Sequence, residues 1–273
     1  MFVYSKKRKL MRLSQTQLDD FRNNGYLLFK GFASSSLCEE ILAKAKVHIE
    51  ARVEPLETQT AYHQSNKDTR TQDGNYGSKS KEQEGIRRLR QVYEREEVFR
   101  AWMKDTKIRP ILQELLEDKV VITTAHHNSI MTKMPQSSTA TQWHQDRRYW
   151  RYSDDNLISI WLALGEENSQ NGVLEFVKGS HKIPLSPEQF DEKEYLDENL
   201  AENKKLLKAK VSFELEKGDV VLFHSLLLHR ANKNTTNRRK ISFVYTVKGK
   251  KTKAEEGSRS AKYPEIALDF ISN

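Results

Sequence analysis

The stretch GDVVLFHSLLLHRANKNTTNRRKISF, residues 218–243, carries most of the information about this chain. Its first half is a continuous apolar run ending in His229. Its middle is a string of Asn and Thr residues of the kind that build turns. Its end is a basic triplet that opens another apolar run, KISFVYTV. Upstream, EKGD separates the strand-like runs AKVSFEL and DVVLFH and reads as a tight turn. A histidine at the end of a buried strand lies where the mouth of a barrel would be, and a polar group there needs partners.

Working outward, short strand-like runs separated by turns continue on both sides from about Lys119: KVVITTA, NSIMTK, LISIWLALG and GVLEFV. Before Lys119 the pattern is helical. SQTQLDDFRNN, residues 14–24, begins with a cap-type serine, places Leu18 and Phe21 at helical spacing and stops at Gly25. YLLFKGF reads as a buried strand, SSSLCEEILAKAKVHIEAR as a second helix, and EVFRAWMKD and IRPILQELLED as two more. Residues 52–85 are polar and rich in Gln, Ser, Asp and Gly, the composition of a long loop or lid. Helices first and many short strands afterwards predict a mainly β protein with flanking α-helices, a β-sandwich or jelly roll. The expected organisation is one domain over 1–273: helical support over about 12–118, a jelly-roll core over about 119–247, and a basic segment over 248–273.

The 273 residues suffice for a substantial core, and 31% are charged, which gives a thick solvated surface. No apolar run approaches the roughly 20 residues that span a bilayer. The opening MFVYSKKRKLMRL has basic residues with no apolar stretch after them, which argues against a secretory signal. A single cysteine, Cys38, excludes an internal disulfide and a cysteine-based zinc site, and the cytoplasm is the expected compartment. The net charge of +8 suits anionic partners or a solvated lysine surface. Much of the excess sits in VKGKKTKAEEGSRSAK, read as flexible or partly ordered, and no nucleic-acid-binding motif accompanies it. A small-molecule substrate is the expected partner, with no membrane or nucleic acid; the oligomeric state is open.

TQWHQDRRYW, residues 141–150, supplies a complement to His229. On a strand, side chains at i and i+2 share a side, so His144 and Asp146 converge while Gln145 faces away. Alone, a His-x-Asp triplet is a weak signal. His229 follows Asp146 by 83 residues (229 − 146) and offers a third ligand. Among the other histidines, His48 and His63 read as structural or solvated. His126 and His127 place their rings on opposite faces without a partner pattern, and His181 reads as a hydrogen-bonding residue in a turn. Two histidines and one carboxylate suit Fe(II) with open positions for substrate and oxygen, although zinc fits the same spacing.

Taken in order, WHQD, NGVLEFVKGSH and GDVVLFHSLLLHRANKNTTNRRKIS resemble the phytanoyl-CoA dioxygenase family of Fe(II)/2-oxoglutarate-dependent oxygenases. The opening LSQTQLDDFRNNGYLLFKGF is also similar to the family's start, so the resemblance covers about residues 12–247. It implies a double-stranded β-helix, iron held by His144, Asp146 and His229, and hydroxylation of an unactivated C–H bond with O2 as 2-oxoglutarate is decarboxylated to succinate and CO2. Substrate identity stays open: a small organic molecule, an acyl-CoA to which the basic surface is suited, or no substrate at all in a metal-binding jelly roll. The family's halogenating relatives lack the carboxylate ligand, and Asp146 argues against halogenation.

The far carboxylate of 2-oxoglutarate calls for a buried cation. The family places an arginine shortly after the second histidine, and the chain offers RRK. The face of Arg239 continues with Ile241, Phe243 and Tyr245, an apolar set, which favours Arg239; the face of Arg238 continues with Lys240, Ser242 and Val244. Arg238 remains the alternative, because the loop before it is shorter than is usual in the family. The resemblance also places Trp150, Trp161 and Asn128 near cosubstrate or substrate, although a tryptophan on a barrel strand is equally at home in the core. Tyr149 and Arg147 alternate with them toward the substrate mouth. Arg88 and Arg90 are read as a solvated face that could add positive charge over the opening.

Overall fold

The computed structural model describes residues 11–64, 85–135 and 138–271. Among these residues twelve strands run in chain order: β1 (Tyr26–Phe29), β2 (Leu56–Thr58), β3 (Ile86–Arg90), β4 (Val120–Lys133), β5 (Thr141–His144), β6 (Leu157–Ala163), β7 (Leu174–Val177), β8 (Lys210–Ser212), β9 (Val220–His224), β10 (His229–Ala231), β11 (Lys240–Gly249) and β12 (Glu265–Ala267). The larger sheet has the order β1-β9-β6-β11-β4-β3-β2, with β12 added on β4; the smaller is β5-β10-β7-β8. All the pairings are antiparallel. The two sheets face each other as a double-stranded β-helix, the jelly roll expected from the strand pattern.

The larger sheet is buried on both faces, and period two divides its residues between two environments. Ile158, Ile160, Leu162, Leu222, Phe243, Tyr245 and Val247 join the outer core with Phe21, Ile41, Ala45, Phe99, Trp102 and Leu112 of the helices. Trp161, Ala163, Val221, Phe223 and Val244 turn inward, against Leu174 and Phe176 of the smaller sheet. The four expected helices are present as Gln15–Asn24, Ser35–Glu50, Glu97–Met103 and Arg109–Leu116. Ser14 caps the first, its hydroxyl accepting from Gln17 N while the Gln17 side chain accepts from Ser14 N, and Gly25 ends it at φ 82°.

Three sequence expectations need correction. KVVITTA and NSIMTK form the single strand β4. The polar stretch 52–85 is not all loop: Leu56–Thr58 pairs with β3, in the register Leu56↔Leu89, and Gln59–Gln64 is helical, while residues 65–84 lie outside the described residues. IRRLR is a buried strand and not a solvated face, with Arg87 4% and Arg90 6% exposed. The basic segment after β11 packs on the body: Arg259 and Ser260 are buried, and Ser260 Oγ accepts from Arg151 N and bonds His126 Nε2.

Candidate metal centre and active site

His229 and His144 are direct cross-strand partners on β10 and β5, which brings their rings to 4.2 Å between centroids. Each ring is fixed through Nδ1, which donates to the carbonyl two residues earlier: His144 to Gln142 O at 2.8 Å, and His229 to Leu227 O at 2.9 Å. Because a carbonyl only accepts, Nδ1 carries the proton and both Nε2 lone pairs face inward. Asp146 is not on the strand; it opens a 3-10 turn, Asp146–Tyr149, that begins where β5 ends. Its Oδ1 lies 3.9 Å from His144 Nε2 and 3.6 Å from His229 Nε2. Gln145 faces away and donates to Leu226 O.

The ligand atoms of His144, Asp146 and His229 lie within 4.8 Å of one another, and all three residues are buried. Ligands at about 2.1 Å around one ion sit roughly 3 Å apart when at right angles, so a small closure completes the set. Two neutral imidazoles and one carboxylate are the donor set of a non-haem Fe(II) site. Burial holds His144 well below the ordinary histidine range, with Arg148 and His229 adding repulsion, and burial likewise lowers His229. Burial alone would raise the Asp146 pKa, but His127, His229 and His144 outweigh it and hold the group low.

His127 was missed by sequence reading. Its Nε2 lies 2.7 Å from Asp146 Oδ1, while Ser159 Oγ donates to Oδ2 at 2.9 Å. Between Tyr245↔Asn128 and Thr246↔Thr123 the register slips, so residues 124–127 bulge from the β11 pairing. The bulge defeats the alternation that put the two rings on opposite faces: both His126 and His127 contact Trp150, at 4.8 and 5.5 Å.

The triad lies in a pocket also lined by Trp161, Trp150, Tyr149, Leu174, Phe223 and Val244. Trp161 Nε1 donates to the fully buried Glu167. Four other expected residues are elsewhere. Asn128 accepts from Tyr93 N on the helical side of the sheet, and Arg147 turns to Asp155. Arg238 and Arg239 are exposed and outside the pocket lining, with Arg239 Nε against Met134 Sδ. The residues of β11 that line the pocket are Lys240 and Val244, and Ser242 between them donates to Glu167. The apolar set Ile241, Phe243 and Tyr245 packs on the helices. A barrel interior that hosts a polar site inverts the rule that the apolar face is the inner one.

Two lysines stand at this end of the pocket. Lys240 Nζ donates to Glu167 at 2.9 Å and to Gly172 O at 2.7 Å. Lys133 Nζ donates to Thr139 O and Ala231 O and has no carboxylate partner among the described residues. Burial, with Arg87 and Lys240 nearby, pulls the Lys133 pKa down to about 6.

Fold and site together define a 2-oxoglutarate-dependent dioxygenase of the jelly-roll type. The chain belongs to the phytanoyl-CoA dioxygenase family, whose model, Phytanoyl-CoA dioxygenase (PhyH), matches residues 21–242. It is 25% identical over 245 residues to the peroxisomal phytanoyl-CoA dioxygenase of Bos taurus, covering 85% of this chain and 67% of that one. With the Homo sapiens protein of the same name it is 32% identical over 123 residues, 41% of this chain and 35% of that one. Among solved structures, EctD from S. alaskensis with bound Fe superposes with a TM-score of 0.73 at 18% identity, covering 94% of this chain and 87% of that one. The epimerase SnoN, in complex with Fe3+, alpha-ketoglutarate and nogalamycin RO, gives 0.69 at 17%, covering 89% and 86%. These two likenesses are of fold. No helix among the described residues is long and apolar enough to cross a membrane.

Proposed function

We propose that this protein hydroxylates an unactivated C–H bond of a small organic substrate. One oxygen atom of O2 enters the product alcohol and the other enters succinate, as 2-oxoglutarate loses CO2. The observation that carries this reading is the convergence of His144, Asp146 and His229 in a pocket whose end holds two buried lysines. Fe(II), held by those three residues, would supply the activation of O2 together with the cosubstrate. The chain's own groups do the rest. The locked tautomers of His144 and His229 keep Nε2 available, and Asp146 supplies the anionic ligand. Trp161, Phe223 and Val244 exclude water from the reacting centre.

For the distal carboxylate of 2-oxoglutarate we assign Lys133 and Lys240, in place of Arg239 or Arg238. Lys133 is a buried amine whose described acceptors are all neutral carbonyls, and a carboxylate is the partner that would restore its charge. Removing one member of a buried charged pair costs about 2 to 5 kcal/mol, and each ~1.4 kcal/mol is tenfold in affinity. Lys133→Met should therefore weaken 2-oxoglutarate binding by roughly 30-fold or more, whereas Arg239→Ala and Arg238→Ala should leave it nearly unchanged. Anaerobic titration with Fe(II) distinguishes the two, and a large loss in Arg239→Ala would return the anchor to the arginine.

Succinate release on incubation with Fe(II), 2-oxoglutarate and O2 tests the enzymatic reading; its absence across a substrate screen would favour a non-catalytic metal-binding protein. Hydroxylation of an acyl-CoA is a second reading, supported by the net charge of +8. We treat the chain as one oxygenase unit, because helical and strand residues from Phe21 to Leu268 share one core. The buried free thiol of Cys38 is compatible with a reducing compartment, and we propose the cytoplasm.

A further inference from the structure

We infer that the substrate carries an oxyanion group, phosphoryl or carboxyl, held by Arg148 and Arg87 in the pocket that also holds the two lysines. This deepens the proposed function and rests on it for the placement of the cosubstrate.

The pocket lining holds eight cationic side chains and one carboxylate, Asp146, among the described residues. Nearby acids account for part of the excess: Glu57 pairs with Arg88 at 2.7 Å, Glu175 with Arg230 at 2.9 Å, and Glu167 with Lys240 at 2.9 Å. With Asp146 committed to the metal, the two negative charges of 2-oxoglutarate balance the ligated Fe(II) and Lys133. Of the four cations that remain, Arg87, Arg90, Arg148 and Arg259, Arg148 has no carboxylate partner among the described residues. Its Nη1 donates to two carbonyls, Lys193 O and Glu194 O, and its Nε and Nη2 donate to no described residue. Arg87 is held more loosely by Glu57, at 3.6 Å, and donates through Nη2 to Thr141.

Both guanidinium groups lie against aromatic rings. Arg148 lies 4.5 Å from the Tyr149 ring and 4.4 Å from the Tyr195 ring; Arg87 lies 3.5 Å from the Tyr62 ring. The hydroxyls of Tyr62 and Tyr195 are hydrogen-bonded to each other, so two distant segments of the chain meet over these arginines. Stacking fixes the plane of a guanidinium while leaving its edge for ligands, which is the arrangement that binds an oxyanion with two parallel hydrogen bonds. The local field is strongly positive. The Arg90 pKa falls to about 10 through burial, with repulsion from Arg88 and Arg259 added. A neutral substrate would leave that field uncompensated.

The test is calorimetric titration of anaerobic protein loaded with Fe(II) and 2-oxoglutarate, using inorganic phosphate, acetate and methanol as probes. The expected result is one site for phosphate or acetate and none for methanol, and which anion binds more tightly separates a phosphoryl from a carboxyl substrate. Arg148→Gln and Arg87→Gln should each weaken the anion about tenfold or more, with 2-oxoglutarate affinity unchanged within about threefold in Arg148→Gln. Arg148→Lys, which keeps the charge, should recover part of the loss. Anion binding that survives both glutamine variants, that is lost in Lys133→Met instead, or that is absent from the wild type overturns the inference. If 2-oxoglutarate itself fails to bind, the cosubstrate reading falls. The phosphate titration of metal-free protein, wild type against Arg148→Gln, then decides the clamp alone.

Discussion

His127 Nε2 stands 2.7 Å from the same Asp146 oxygen that faces His144 and His229. A carboxylate that serves a metal needs its spare hydrogen-bonding capacity filled by groups that fix its orientation, and His127 with Ser159 does this from two sides. His127→Ala should weaken Fe(II) binding by roughly 10- to 100-fold while leaving the fold intact. Metal titration followed by absorbance or calorimetry gives the number. Unchanged metal affinity would show that His127 is a bystander.

Replacing His144, Asp146 or His229 by alanine should abolish turnover with little loss of folded protein, because the core residues around them hold the barrel together. With Asp146 as the proposed carboxylate ligand, no position should be vacant for chloride, so oxidised products should carry oxygen alone. Mass spectrometry of reactions run in chloride buffer checks this, and a chlorinated product from the unaltered chain would contradict it.

The depressed pKa of Lys133, about 6, has two consequences of opposite kind. The unfolded chain holds this proton at an ordinary lysine pKa, so between about pH 6 and that value the unfolded state binds more protons. Stability from this site then rises with pH across the window. Lys133→Met should accordingly raise Tm in ligand-free protein near pH 7. Binding of a dicarboxylate restores the charge, so 2-oxoglutarate should take up close to one proton per molecule bound at pH 7.5. Calorimetry in buffers of different ionisation enthalpy measures that uptake, and zero uptake would remove Lys133 from the anchor.

Gly218 closes the EKGD turn at φ 93°, and a Cβ there would sit 2.4 Å from Ala33 O. Gly218→Ala therefore meets both a left-handed backbone and a fixed carbonyl, and should cost roughly 1 to 3 kcal/mol. Chemical denaturation reads the loss, and a neutral result would mean that the turn can move away from Ala33.

Local chemistry was legible in the sequence wherever one residue decided one feature. Ser14 and Gly25 bound a helix, and alternation along LISIWLALG and DVVLFH divides two cores. His144, Asp146 and His229 come together as expected, although Asp146 does so through a 3-10 turn and not along a strand. The failures share a cause. Period two states which residues lie together but not which side is the interior, so the apolar face of β11 was taken as the inner one and Arg239 was favoured over Arg238, whereas both arginines are exposed and outside the pocket lining. A bulge interrupts the period at 124–127, which hid His127. IRRLR is buried through ion pairs with Glu57, a distant residue that no local pattern reveals.

Strand β11 lies between β6 and β4 in the larger sheet, yet it is the last of the three to be synthesised. Until residues 240–249 have left the ribosome, β6 and β4 have no common neighbour and expose unpaired edges to the cell. Completion of the sheet then depends on pairings between residues more than a hundred positions apart, such as Lys248 with Val121, which slow folding more than local contacts do. Refolding from denaturant should therefore be slow and prone to aggregation, and iron should find its site only after the sheet has closed.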